Sequence, residues 1–226
     1  MITVPEKVEG LVNQSPYLRE AMSDKLVNLS ALARQLKPQI EKELVKDVSE
    51  SAVFIALQRY AATMKPYYQV NPADYLANMA LRSDLFELTV KNSPALLAKL
   101  SLLAQVIDDR HTSLFVFTQG QHETTIITSK SLDKDLKAAL KDETITSTIP
   151  DLTGISLQRT HGQIETTGVL QYPLRILAWE GISVIEIITT LNEIMMVVRD
   201  FEVDRAVASI RQGLQTVKNK GTHAKD

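Results

Sequence analysis

Nine consecutive residues, Ile182-Ser183-Val184-Ile185-Glu186-Ile187-Ile188-Thr189-Thr190, are β-branched almost throughout, the composition of a strand laid against a core. Leu191-Asn192-Glu193 reads as a turn and Ile194-Met195-Met196-Val197-Val198 as a second strand, so the pair forms a hairpin. Behind it, Val203, Ala206, Val207, Ile210, Leu214 and Val217 follow the spacing of one buried helix face. Ahead of it, Val169, Leu170, Leu174, Leu177, Ala178 and Trp179 predict a helix that stops at Gly181, a residue suited to the left-handed position past a helix end. With a strand at Gly154–Arg159 the order is β-α-β-β-α, most of a ferredoxin-like split βαβ unit.

Three local patterns in this stretch resemble the ACT domain, a small-molecule-sensing module, and specifically the regulatory part of aspartokinases. They are Gly168-Val169-Leu170 at the opening of the first helix, Trp179-Glu180-Gly181-Ile182-Ser183-Val184 leading into the hairpin, and Val203-Asp204-Arg205-Ala206-Val207 in the second helix. The match covers a fifth to a quarter of the chain.

A degenerate copy precedes it. Leu85–Lys91 alternates as a half-buried strand, and Ser93-Pro94 is an N-cap followed by proline at a tolerated position. Leu96, Leu97, Leu100, Leu103, Ala104 and Ile107 then line a helix. Thr112–Thr118 and Glu123–Thr128 read as strands around a polar turn, Ser131 as the cap of a helix using Leu132, Leu136, Ala139 and Leu140, and Thr144–Ile149 as a last strand. The two copies lie about 71 residues apart, a spacing that indicates a duplicated domain. The second copy lacks a clear last strand, which is absent or reduced to Gln215–Lys218, and Pro173 makes its first helix start at Tyr172 or kink.

The first 65 residues read as all-helical. Ser15-Pro16, Ser30 and Ser49 are candidate N-caps, and Pro38 is expected to break or kink its helix. Leu29–Leu36 followed by Val48–Val53 resembles a helix-turn-helix of the winged-helix regulators. That resemblance implies DNA contacts from the N-terminal part of the second piece, with Ser49, Ser51 and Arg59 as candidates. Residues 1–72 carry nine basic against eight acidic side chains, however, and a near-neutral surface offers few phosphate contacts. A helical packing or dimerisation domain is the competing reading. Lys65–Pro72 reads as an extended connector or short strand, and Asp74–Leu81 as a brief helix.

The expected organisation is thus α+β: a helix-turn-helix-like domain (1–65), a connector (66–83), ACT-like βαββαβ modules (84–150 and 151–217) and a polar, disordered tail (218–226). A formal charge of -2 argues against a globally basic nucleic-acid binder, the absence of cysteine fits a reducing compartment, and Met1–Glu6 lacks the features of a signal peptide. A cytoplasmic protein is expected.

No chemistry-bearing constellation emerges. His111, His122, His161 and His223 show no zinc-ligand spacing, Asp108-Asp109 sits at a helix end, and the eight glycines make no phosphate-cradling loop. Neither a metal nor a cofactor is expected, and the ACT resemblance implies regulation without catalysis. It also implies where an amino acid or similar metabolite would bind. Backbone N–H groups at Thr167, Gly168, Val169 and Leu170 would hold its carboxylate, and Val184, Ile185 and Glu186 would line it, Glu186 meeting an ammonium. The plainer alternatives are a helix-start glycine and an exposed edge-strand glutamate. The first copy has Asn92-Ser93-Pro94-Ala95 at the corresponding place, where proline has no N–H to give. The chain reads as a sensor acting as a transcriptional regulator or, alternatively, as a constitutive dimerisation scaffold whose helices bind a protein. Either form would be a homodimer or higher homo-oligomer without a membrane role.

Overall fold

The structure, a computed structural model, describes residues 2–64, 75–108, 113–160 and 166–223. The chain divides into two compact units, Met1–Gln69 and Val70–Asp226.

The first unit is built from α1 (Val4–Asn13), α2 (Pro16–Ser23), α3 (Leu29–Leu44) and α4 (Glu50–Thr63). Its helices begin where side chains can take the orphan N–H groups of a first turn. Thr3 and Glu6 form a reciprocal capping box, and the hydroxyls of Ser15 and Ser49 accept from the N–H groups of Leu18 and Ala52. The cap of α3 is Asn28 rather than the expected Ser30: its Oδ1 accepts from the N–H groups of both Ser30 and Ala31 at 3.1 Å. Pro38 does not break α3, which continues through it to Leu44. Proline forfeits one backbone bond there, but Leu32, Ala33 and Ile40 on the same helix are locked into a core with Val8, Val12, Val53 and Leu57. Packing outweighs propensity.

α3 is closed by its C-cap residue Val45, which is 89% exposed and held at φ 50°. A left-handed conformation costs a non-glycine residue about 1–2 kcal/mol, more for a β-branched one. Val45→Gly is therefore expected to raise the unfolding free energy of this unit by about 1 kcal/mol, read as a higher urea midpoint at unchanged slope.

The second unit is one antiparallel sheet of order β2-β3-β1-β4-β6-β5. Its strands are β1 (Leu76–Lys91), β2 (Phe115–Gln119), β3 (Glu123–Ser129), β4 (Ile145–Arg159), β5 (Glu186–Thr189) and β6 (Glu193–Arg199). The helices are α5 (Leu96–Asp108), α6 (Asp133–Ala139), α7 (Gln171–Trp179) and α8 (Val203–His223).

The two longest strands each serve twice. The second half of β1 pairs with β3, Leu85 opposite Ser129 through Lys91 opposite Glu123, while its first half pairs with the end of β4, from Leu76 opposite Arg159 to Arg82 opposite Gly154. The register breaks between Arg82 and Leu85, where Asp84 on β1 and Asp151 on β4 both stand at φ 56°. Each half of the sheet thereby acquires the ferredoxin-like order: β2-β3-β1-β4 under α5 and α6, and β1-β4-β6-β5 under α7 and α8.

Several expectations change accordingly. The strand missing from the second copy is Leu76–Arg82, which lies ahead of the first copy in sequence. The expected helix at Asp74–Leu81 is strand from Leu76 onward, so the expected connector already contains sheet. No break in the fold separates residues 150 and 151, because β4 runs through them. Gln215–Lys218 belongs to α8, and the tail expected to be disordered from Lys218 is helical as far as His223. The strand expected over Ile182–Thr190 is confined to Glu186–Thr189. Ser131 lies inside a short 3-10 turn, Lys130–Leu132, ahead of α6 rather than capping it. The alternative sheet-completing segment Tyr67–Val70 lies outside the described residues.

Among the described residues, three apolar clusters hold the unit. Leu96, Leu100 and Leu136 cover Phe86, Leu88, Val90 and Ile126, while Leu177, Ala206 and Ile210 cover Ile155, Leu157, Met196 and Val198. The third cluster joins Leu85, Ile127, Leu152, Met195 and Val197, residues from the helix-free faces of both halves, and all five are buried. With the long strands bent at Asp84 and Asp151, the sheet curls until those two faces pack on each other.

Candidate ligand-binding site

Gly168 stands at φ 89°, a conformation open to glycine and strained for other residues. It belongs to the turn Thr167–Leu170 that delivers the chain into α7, and the N–H of Tyr172 donates to its carbonyl at 3.2 Å. The N-cap residue of α7 is Leu170, which makes no side-chain cap bond. Because α7 starts at Gln171, Pro173 falls within its first turn and the missing N–H costs no helix bond. Of the two expected outcomes, a start at Tyr172 or a kink, the helix comes close to the first and begins one residue earlier. At the other end, Gly181 at φ 68° closes a Schellman motif: its N–H donates to the Ala178 carbonyl, and that of Ile182 to the Leu177 carbonyl. The Tyr172 hydroxyl donates to the Gly213 carbonyl at 2.8 Å and ties α7 to α8.

Of the residues expected to contact a ligand, Val169, Leu170 and Val184 meet in the cluster under α7 and α8. Thr167 is exposed and Gly168 half-buried beside them. Ile185 and Glu186 part from this group. Ile185 packs in the cluster on the helix-free side, and Glu186 pairs with Val197, whose side chain is in that same cluster. The Glu186 side chain thus occupies the sheet face opposite α7.

The equivalent corner of the first half is closed by its own chain. The Ser93 hydroxyl accepts from the N–H of Leu96 at 3.1 Å, and Pro94 brings no donor.

One buried acidic residue escapes the sequence pattern. Glu87 is 7% exposed, and its Oε2 has no hydrogen-bond partner. Burial, reinforced by the charge of Glu186, pushes its carboxyl up from the ordinary carboxylate value, against opposing contributions from a Thr89 hydrogen bond and from Arg199. The alternation in Leu85–Lys91 assigns Glu87 to the outer face of a half-buried strand. Nothing in the local sequence shows that a second half-sheet covers that face.

In the helical unit, Ser51 and Arg59 are exposed on α4 with Ile55, Gln58 and Ala62, so that outward face carries one base. Ser49 is engaged as the helix cap, and Glu50 lies 4.0 Å from Arg34. The link from α3 to α4 is pinned by the Val48 N–H donating to Glu41, and this hydrogen bond, with one from Lys37, holds the Glu41 carboxyl below its ordinary value.

Among the described residues no group of three or more His, Cys, Asp or Glu side chains is placed to hold a metal ion, and no helix is long and apolar enough to cross a membrane. His122 is exposed; His111, His161 and Asp109 lie outside the described residues.

The element order, the strand order and the helices on one face of each half define an ACT-like, ferredoxin-like α+β fold. No family model and no curated protein matches the sequence. Solved structures do match. The regulatory subunit of aspartate kinase from Thermus thermophilus, in its ligand-free form, aligns at TM-score 0.50 and 17% identity over 61% of this chain and 98% of its own. A structure of aspartokinase alpha and beta subunits aligns at TM-score 0.51 and 14% identity, covering 62% of this chain and 99% of that one. The aspartate kinase of Clostridium acetobutylicum aligns at TM-score 0.50 and 12% identity over 62% of this chain, which spans only 34% of that enzyme. What these proteins share with this chain is the fold.

Proposed function

We propose that the chain is a non-catalytic regulatory protein whose second unit senses an amino acid or a similar small carboxylate at the Gly168 turn. The observation that carries this reading is a glycine at φ 89° in the turn that leads into a helix that no side chain caps. The partial positive charge of such a helix start suits a carboxylate. Val169 and Val184 supply the apolar wall, and Thr167 stands at the open side. Ile185 and Glu186 enter this reading through the strand backbone, because their side chains are engaged on the other face. The likeness to aspartokinase regulatory subunits supports a sensing role, and the self-capped first half supports a single site.

Output runs through the helical unit. Action on DNA would use Ser49, Ser51 and Arg59, but with one base on the outward face of α4 a protein partner suits that surface better. A constitutive scaffold is the second reading, favoured by the position of β2 and β5 at the two edges of the sheet, where strands of another copy can pair.

A thermal-shift screen of the full chain against the common amino acids separates sensor from scaffold. A ligand at 100 times its Kd is expected to add about 2.7 kcal/mol of stability. Unfolding curves unmoved by every amino acid at millimolar concentration would leave the scaffold.

A further inference from the structure

Glu87 sits where the two half-sheets meet. Across the sheet it stands opposite Ile127 on β3 and Ile149 on β4, both members of the cluster shared by the helix-free faces. Glu186 enters the same cluster from the other half, opposite Val197 and flanked by Ile185 and Ile188. Arg199, opposite Leu152, is on that face too. Among the described residues, the charged groups turned toward Glu87 are Glu186 from β5 and Arg199 from β6. Its cross-strand neighbours on β3 and β4 are isoleucines, and on its own strand Thr89 hydrogen-bonds it. Of these three charged groups only Glu87 is buried, whereas Glu186 and Arg199 are half-exposed, so it is the Glu87 charge that low-dielectric surroundings make costly.

We propose that Glu87 is a proton-operated latch between the two half-sheets: protonated, it lets the helix-free faces close on each other, and ionised, it loosens them. A neutral carboxyl removes the excess charge from the seam, so its unbonded oxygen no longer holds a buried negative charge. Ionisation restores repulsion from Glu186 across the seam and places a desolvated charge among Leu85, Ile127 and Val197. The sign follows from linkage. A carboxyl raised in the folded state contributes stability that is fully present below the ordinary carboxylate pKa, and this stability is lost as pH rises through the raised value.

The test compares Tm against pH for the full chain, Glu87→Gln and Glu186→Gln. Glutamine keeps the shape of the side chain and stays neutral, so far-UV circular dichroism at low pH is expected to be unchanged. The difference between wild type and Glu87→Gln should be small at low pH and grow as pH rises, with the variant the more stable. Glu186→Gln should move that inflection to lower pH by removing the facing charge. Hydrogen exchange, corrected for its intrinsic pH dependence, should show wild-type amides at 85–89 and 194–198 losing protection together as pH rises, and those of Glu87→Gln holding it. A pH-independent difference in Tm, an inflection indifferent to Glu186→Gln, or protection lost on only one half-sheet would overturn the latch.

Discussion

A chain that starts at residue 84 is expected to lose the cooperative unfolding transition of the sheet unit, whereas one that starts at residue 70 keeps it. Residues 76–82 form the outer strand of the second half-sheet, with Leu76, Met79 and Leu81 opposite Arg159, Leu157 and Ile155. Leu76 is 4% exposed, Tyr75 and Met79 pack on the same core, and the Thr160 N–H donates to the Tyr75 carbonyl at 3.0 Å. Burying one such aliphatic side chain is worth about 1.5–3 kcal/mol, and each ladder hydrogen bond about 0.5–1.5 kcal/mol. The strand thus contributes on the order of 5–10 kcal/mol, comparable with the entire stability of a typical domain. Its removal also bares an edge of β4 that invites association. Urea unfolding followed by fluorescence is well placed to decide, since the one tryptophan, Trp179, lies in α7 of the affected half. Equal midpoints for the two truncations would show that the outer strand is dispensable.

That strand is also the element the sequence hides best, and the reason is a bulge. Asn78 stands at φ 39° and shifts the pairing between Ala77 and Met79. Leu76 and Met79 consequently reach the same core three residues apart, which is the spacing of a helix. The hairpin at β5 and β6 is legible because its turn is tight and its second strand, Ile194–Val198, is buried on both faces. The C-terminal end of α7 is legible from glycine chemistry at position 181, but Val169 and Leu170, expected within the helix, lie in the turn ahead of Gln171. The cap of α3 is misjudged by two residues because Asn28 and Ser30 are both good caps and only one initiates the helix.

The candidate site is legible to the extent that it depends on backbone, and less so where it depends on strand faces. Gly168 and the tolerance of Pro173 follow from local rules once the first helical residue is known. The orientation of Glu186 depends on which residue starts β5, and a β-branched run from 182 to 190 contains no marker for that boundary. Glu87 belongs to a seam formed by residues more than a hundred positions apart, so period-2 alternation shows its face without showing what covers it.

Leu85→Ala is expected to cost about 3–5 kcal/mol and to lower the Tm of the sheet unit by roughly 6–15 °C. Leu85 has no exposed surface and follows the bend at Asp84, where it touches side chains of both half-sheets. Its loss opens a cavity in the seam, so both halves should weaken in one transition rather than one half melting early. The neighbouring glycine offers a sharper check of that packing. A Cβ on Gly154 would come within 2.7 Å of Met195 Sδ and 3.5 Å of Leu85 Cδ1, so Gly154→Ala alone should destabilise by about 1–3 kcal/mol through overpacking. With Leu85 shortened, Met195 gains room to move aside and the new methyl partly fills the void. The double variant should therefore be more stable than the summed single losses predict, with a coupling of about 0.5–3 kcal/mol in a double-mutant cycle. Simple additivity would mean that Leu85, Gly154 and Met195 do not share one cavity, and the seam would then be looser than its burial indicates.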